Sequence, residues 1–218
     1  MPDEVEILTG GGVPHRARIR LGTASDRLTL MKSWVPVLNR GPTHWLDRLW
    51  PWMTFGDGDL HIELGSEWLV IADEVEPGSS SEIFGVLVTT GPTTAQEAGI
   101  GDLPGMAGES MLWVEYIAIA PSIRLPDCPL PDRRTTHVMA VGPQLMRAAI
   151  ARSYALGTDG RIGLHAEGDG ARKIYTKKWK MRDLGVATHR TGDAYPVCFG
   201  DAAWAVEFCS GLSRGGRR

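Results

Sequence analysis

The sequence predicts an α/β chain built on a mixed sheet, and three observations predict it. Segments of strand period and helical period are interspersed along the chain instead of clustering by type. Met111 to Ala120 (MLWVEYIAIA) is apolar, rich in β-branched and aromatic residues, and stopped by Pro121, which reads as a buried central strand. After a loop comes VGPQLMRAAIARSYALG (Val141 to Gly157), a helix with Gly and Pro at its mouth. The 218 residues suffice for one domain with a full core, taken as 1–218 with flexible tails at 1–12 and 211–218.

Each element follows from local pattern. HRARIRLG (His15 to Gly22) alternates basic and apolar residues, the period of a half-exposed strand. Thr23 or Ser25 then caps a helix in which Leu28, Met31, Trp34, Val35 and Leu38 recur at helical spacing. Pro36 is expected to kink or end it. A second short helix, Thr43 to Trp52, carries Trp45, Leu46 and Leu49 on one stripe. GDGD (Gly56 to Asp59) is a turn and lacks the later positions of a calcium loop. Trp68 to Glu76 and Glu82 to Thr90, joined by PGSSS, predict an antiparallel hairpin. Gly91 to Ser110 reads as an irregular connection. After the central strand, four prolines between Pro121 and Pro131 exclude helix and central strand there. Arg161 to Ala166 predicts a strand, Ala171 to Lys178 a helix, and Met181 to Ala187 and Ala202 to Cys209 two final strands.

Composition excludes several classes. The net charge, 23 minus 26, is −3, so no global basic field points to nucleic acid, although the tail SRGGRR is locally basic. Cys128, Cys198 and Cys209 form no CxxC spacing, which argues against a disulfide framework or a zinc knuckle. His15, His44, His61, His137, His165 and His189 have no ligand spacing, so no metal is expected. The acidic start MPDEVEIL is unlike a signal peptide, and no apolar run reaches membrane-spanning length. A soluble, cytoplasmic protein is expected.

The central strand holds one carboxylate, Glu115, which needs a partner, a raised pKa or a job. Strand, loop and Gly-opened helix also offer backbone N–H groups to a phosphate. WVEYIAIAP (Trp113 to Pro121), HVMAVGPQLMRAA (His137 to Ala149) and GRIGLHAEGDGARKIYTKKWKM (Gly160 to Met181), in this order and spacing, resemble the GNAT superfamily of acyl-coenzyme A dependent N-acetyltransferases. They look like its fourth strand, its phosphate loop with the third helix, and its fifth strand with the fourth helix. The resemblance covers roughly Trp68 to Phe208. It implies one GNAT-like domain with a mixed, mostly antiparallel sheet of about six or seven strands and about four helices.

The resemblance further implies acetyl transfer from acetyl-coenzyme A to a primary amine by direct transfer. Glu115 would be the general base and Tyr175 the acid toward the departing thiolate. Ile117, Ala118 and Ile119 would meet the cofactor through strand backbone, with an N–H near Ile117 or Ala118 holding the oxyanion. His137, Val138, Met139, Ala140, Val141 and Gly142 would bind the pyrophosphate. Trp34, Trp113 and His165 would meet the acceptor, with Trp45, Trp50 and Trp52 as further aromatic residues of that region. Each has a plainer reading: an arginine partner for Glu115, ring packing for Tyr175, and core positions for His165 and the tryptophans. Departures from the family pattern are His137 for its Gln or Arg, Ala140 for its first Gly, Gly168 for its Asn, and Lys180-Met181 for its Gly-Phe. The altered loop motivates an alternative, a GNAT-like module that binds a ligand or partner protein without catalysis. The expected partner is a small-molecule or protein amine, with neither membrane nor nucleic acid. A homodimer stays open.

Overall fold

The computed structural model describes residues 4–8, 14–41, 50, 67–73, 82–98, 106, 108–121, 141–188 and 193–215. Among the described residues, eight strands form one sheet in the order β1-β2-β3-β4-β5-β6-β8-β7. They are β1 (Glu4–Leu8), β2 (Pro14–Leu21), β3 (Glu67–Asp73), β4 (Ile83–Thr93), β5 (Met111–Ile119), β6 (Ile162–His165), β7 (Arg182–Thr188) and β8 (Ala194–Gly200). Among the described residues the helices are α1 (Ala24–Ser33), α2 (Val35–Arg40), α3 (Val141–Ala155), α4 (Gly168–Lys173) and α5 (Ala202–Gly215). A π-helical turn, Ile174–Lys178, continues α4. The mixed α/β class holds, with one strand more than expected.

The described residues fall into two compact units. The first comprises those of Met1–Ile62, Glu67–Val88 and Tyr116–Met146, and the second those of Thr89–Glu115 and Arg147–Arg218.

In the first unit, β1 pairs antiparallel with β2 and sets Glu4 opposite Arg18 and Glu6 opposite Arg16. Glu4 and Arg18 carry opposite charges 4.0 Å apart across the pair, which favours the strand at residues 4–8. Thr23 caps α1 in a reciprocal box with Asp26. The break between helices falls at Trp34, not Pro36, and Pro36 takes an early position of α2, where its missing N–H costs nothing. Leu30, Trp34 and Leu38 are buried in one i, i+4, i+8 stripe across the break, whereas Leu28 is exposed. β3 and β4 are hairpin neighbours, closed by Asp73 N–H donating to Glu82 C=O at 2.9 Å. The short helix expected at Thr43 to Trp52, apart from Trp50, and the GDGD turn lie outside the described residues.

In the second unit, β4 runs on to Thr93, so part of the expected irregular connection is strand. β5 and β6 are parallel over residues 112–114 and 162–164, and β6 pairs antiparallel with β8. Ala202 to Cys209, expected as a strand, is helix. Asp201 accepts from Trp204 N–H at 2.9 Å, and Trp204 and Ala205 are buried while Val206 and Glu207 are exposed. That stripe is helical, and an N-cap carboxylate starts it. The helix runs to Gly215. The missed final strand is β8, AYPVCFG. Its Pro196 argues against a central strand, yet its carbonyl accepts from Ala166 N–H just past the end of β6, so its missing N–H falls where that ladder has already stopped. α3 ends on Gly157 (φ 76), with Thr158 N–H donating to Ser153 C=O at 3.0 Å.

Candidate active site

The chemistry-bearing residues of the second unit gather where the β5–β6 ladder stops. Its last pair is Val114 with Leu164. Glu115 of β5 and His165 of β6 are the next residues past that pair. β6 then stays with β8: His165 pairs with Val197, and Ala166 N–H donates to Pro196 C=O at 2.8 Å. Strand alternation puts Met111, Trp113 and Glu115 on one sheet face with Gly163, His165, Tyr195, Val197 and Phe199. Met111, Trp113, Val197 and Phe199 form one core cluster with Met106 and Ala187. Glu115, His165 and Tyr195 are half-buried at its margin. The His165 ring lies edge-on to Trp113 at 5.0 Å and tilted to Tyr195 at 5.6 Å.

Trp113 is only 1% exposed, so it is the floor beneath His165 instead of a wall open to an acceptor. Its indole has room because residue 163 is glycine. A Cβ there would meet the ring at 2.5 Å and the Met111 sulfur at 2.7 Å.

Tyr175 belongs to the opposite face. Arg172 of α4 bonds Asp183 of β7 at 2.7 Å, and Asp183 pairs with Cys198, whose side chain alternates with Val197 and Phe199. α4 and its π-turn therefore cover the Cys198 side. Tyr175 is 8% exposed, its ring 5.3 Å from Trp179, and Met181 N–H donates to its carbonyl at 2.9 Å. Trp204 Nε1–H donates to Trp179 C=O at 2.6 Å and ties the turn to α5. Burial, with the nearby Cys198 and Glu167, holds the Tyr175 phenol well above the ordinary tyrosine value, so it stays protonated. Burial likewise pushes the Cys198 thiol up to about 11.

The first unit carries the other expected group. Of the strand residues, Ala118 is buried and Ile117 and Ile119 are half-buried on the last turns of β5. Ala120 N–H donates to Phe84 C=O at 2.9 Å, so β4 holds β5 to its end, while β6 takes no pair beyond Val114. α3 begins at Val141 and Gly142, and its first turn contains no acid. Nothing within the helix neutralises its positive end, which suits an anionic phosphate. Gly85 seats that turn on β4: a Cβ there would come within 2.6 Å of Val141 and 2.9 Å of Leu145. Trp34 is a buried core residue of this unit, its N–H donating to Leu30 C=O at 2.8 Å. Trp50 stacks against Tyr116 of β5 at 4.8 Å. His137, Val138, Met139, Ala140, Trp45 and Trp52 lie outside the described residues.

Tyr195, Glu167 and Asp193 escaped the sequence reading. Tyr195 sits in the strand that Pro196 concealed, and nothing local marks it. Among the described residues no group of three or more His, Cys, Asp or Glu could hold a metal ion, and no helix is long and apolar enough to cross a membrane.

No protein-family model and no curated protein sequence matches the chain. Solved structures do match it. One is aminoglycoside acetyltransferase AAC(6')-Ib in complex with coenzyme A and kanamycin, at 14% identity over 86% of this chain and 96% of that one, TM-score 0.50. Another is histone acetyltransferase HPA2 and related acetyltransferase from Corynebacterium glutamicum, at 18% identity over 85% and 96%, TM-score 0.49. A third is an acetyltransferase of the GNAT family from Staphylococcus aureus Mu50, at 9% identity over 85% and 99%, TM-score 0.49. The likeness to the aminoglycoside acetyltransferase, at 14% identity, is one of fold.

Proposed function

We propose that the chain is an N-acyltransferase that moves an acetyl group from acetyl-coenzyme A to a primary amine by direct transfer. The observation that carries this reading is the end of the β5–β6 ladder, with Glu115 and His165 past it on one face and Tyr175 buried against the other. In this reading Glu115, directly or through His165, takes a proton from the substrate ammonium. The freed amine attacks the thioester carbon, and the carbonyl π pair moves onto oxygen. A β5 backbone N–H near Ile117 or Ala118 holds that oxyanion. Collapse reforms the carbonyl, breaks the carbon–sulfur bond and expels the thiolate, and the proton that the attacking nitrogen gives up goes to that sulfur, leaving the neutral amide and the free coenzyme A thiol.

The Tyr175 phenol keeps its proton across the working range, so it serves as a hydrogen-bond donor to the departing sulfur. His137 to Gly142, leading into α3, would bind the pyrophosphate, supported by the acid-free first turn. The cytoplasm, reducing toward thiols such as Cys198, is the compartment that fits this reading.

The test is calorimetry with acetyl-coenzyme A, followed by thiol release in the presence of primary amines. Binding with amine-dependent release is the expected result. Binding without turnover on small amines or amine-bearing peptides would favour a second reading, a ligand-binding module, which the sequence motivates through His137 and Ala140 in the phosphate loop. No heat and no thermal shift at millimolar ligand would sink the coenzyme A reading altogether.

A further inference from the structure

The half-buried rings at the ladder end have a use that the transfer chemistry does not absorb. Tyr195 enters through register alone: β8 pairs with β6, and alternation from Val197 places residue 195 on the face of His165 and Glu115. Its ring lies 5.6 Å from His165 at 42°, and His165 lies 5.0 Å from Trp113 at 79°. Three aromatic groups thus meet in a corner, with Trp113 as its buried floor and His165 and Tyr195 as partly open walls. Carboxylates lie near it. Glu115 follows Val114 one residue past the last β5–β6 pair, and Asp193 and Glu167 lie near enough for their charges to raise the Tyr195 phenol, although burial is the larger cause. A ring face beside negative charge attracts an ammonium and a flat apolar body together.

We propose that Tyr195, with His165, is a specificity-determining residue that selects a primary amine carried on an aromatic ring, the ring packing on Tyr195 and His165 and the ammonium lying toward Glu115. The proposal rests on the acetyl-transfer reading, and its test separates the two. 2-Phenylethylamine and n-butylamine, both primary ammonium ions at neutral pH, are compared as acceptors and as ligands. For the wild type, KM for 2-phenylethylamine is expected at least tenfold below that for n-butylamine. Tyr195→Leu is expected to raise the 2-phenylethylamine KM about tenfold while changing the n-butylamine KM less than threefold, and Tyr195→Phe to keep the wild-type preference. The loss falls on KM more than on kcat, which general loosening of the fold would not produce.

Equal KM values for the two amines in the wild type overturn the proposal and leave acetyl transfer standing, and this measurement needs no variant to fold. An equal effect of Tyr195→Leu on both amines overturns it as well. If no amine is acetylated, calorimetry decides: selective binding of 2-phenylethylamine that Tyr195→Leu abolishes upholds the aromatic corner while the transfer reading fails. Binding of neither amine sinks the corner.

Discussion

Gly163 stands directly opposite Trp113 in the β5–β6 ladder, where any Cβ would overlap the indole and the Met111 sulfur. An indole in a close-packed core cannot step aside cheaply. Gly163→Ala is expected to destabilise by about 1–3 kcal/mol, and a thermal melt should fall by roughly 3–10 °C. It should also disturb His165, whose ring rests on Trp113. At Tyr175 the prediction concerns charge. Burial, then Cys198 and Glu167, hold the phenol above the ordinary range, so its neutral form persists as pH rises. Tyr175→Phe should therefore lower kcat by about tenfold or more with little change in coenzyme A affinity. The wild-type pH–rate profile should show no falling limb from this group up to about pH 10. A limb near pH 8 that Tyr175→Phe removes would contradict the assignment. Glu115 was legible in the sequence because a charge in an apolar run stands out. Tyr195 was not, because its importance comes from a strand pairing.

At the scale of elements, the start of α1 is fixed by a clamp that the sequence only half displays. Asp26 is 3% exposed, accepts from Thr23 N–H and Oγ1–H at 2.8 and 2.7 Å, and is gripped by Arg20 of β2 at 2.5 and 2.7 Å. Burial works to raise the Asp26 pKa, but the bonds from Arg20 and Thr23 and the Arg20 charge outweigh it and leave it lowered. A carboxylate with a lowered folded pKa stabilises fully above its unfolded value of about 3.9 and loses that contribution as pH falls below it. Asp26→Asn is expected to cost roughly 1–2 kcal/mol at pH 7, toward the lower end because Arg20 is partly solvated. The gap between wild-type and variant melting temperatures should close as pH drops from 6 to 3, and a gap that stays constant would reject the clamp. Arg20 is thus no simple solvated face residue, although its period-2 strand was read correctly. At α3 the acid-free first turn invites the converse experiment. Gly142→Asp should slightly stabilise the helix by its dipole, by about 0.3–1 kcal/mol, while weakening coenzyme A affinity about tenfold or more by placing a like charge at the phosphate end. Unchanged affinity would remove α3 from the phosphate site.

For the whole molecule, binding of acetyl-coenzyme A to the native state alone should add about 2.7 kcal/mol at a concentration one hundred times Kd. For a chain of 218 residues this predicts a melting temperature higher by roughly 5–10 °C, which a thermal-shift titration measures. Loss of this shift in Gly142→Asp, with its retention in Tyr175→Phe, would separate phosphate binding from catalysis at the level of the intact protein. The same pair of variants guards against a trivial cause, since both should fold.

The sequence by itself determined the strands and helices whose periodicity is strong: β2, β5, α3 and the β3–β4 hairpin. It also marked Glu115 and the Gly142 helix mouth, while Tyr175 was singled out only through the resemblance to the GNAT superfamily. Local pattern sufficed there because each burial stripe is written in neighbouring residues. Tertiary structure decided the rest. Residues 202–209 are apolar enough for strand or helix, and the Asp201 cap with Trp204 packed over Gly200 chose helix. β8 survives its proline because Pro196 faces β6 just past the last β6–β8 pair, where no ladder bond needs its N–H. β1 orders because Glu4 meets Arg18 of β2. The aromatic corner of Trp113, His165 and Tyr195 exists because three strands distant in sequence share one face, a relation set by register between chains of hydrogen bonds and carried by no local signal.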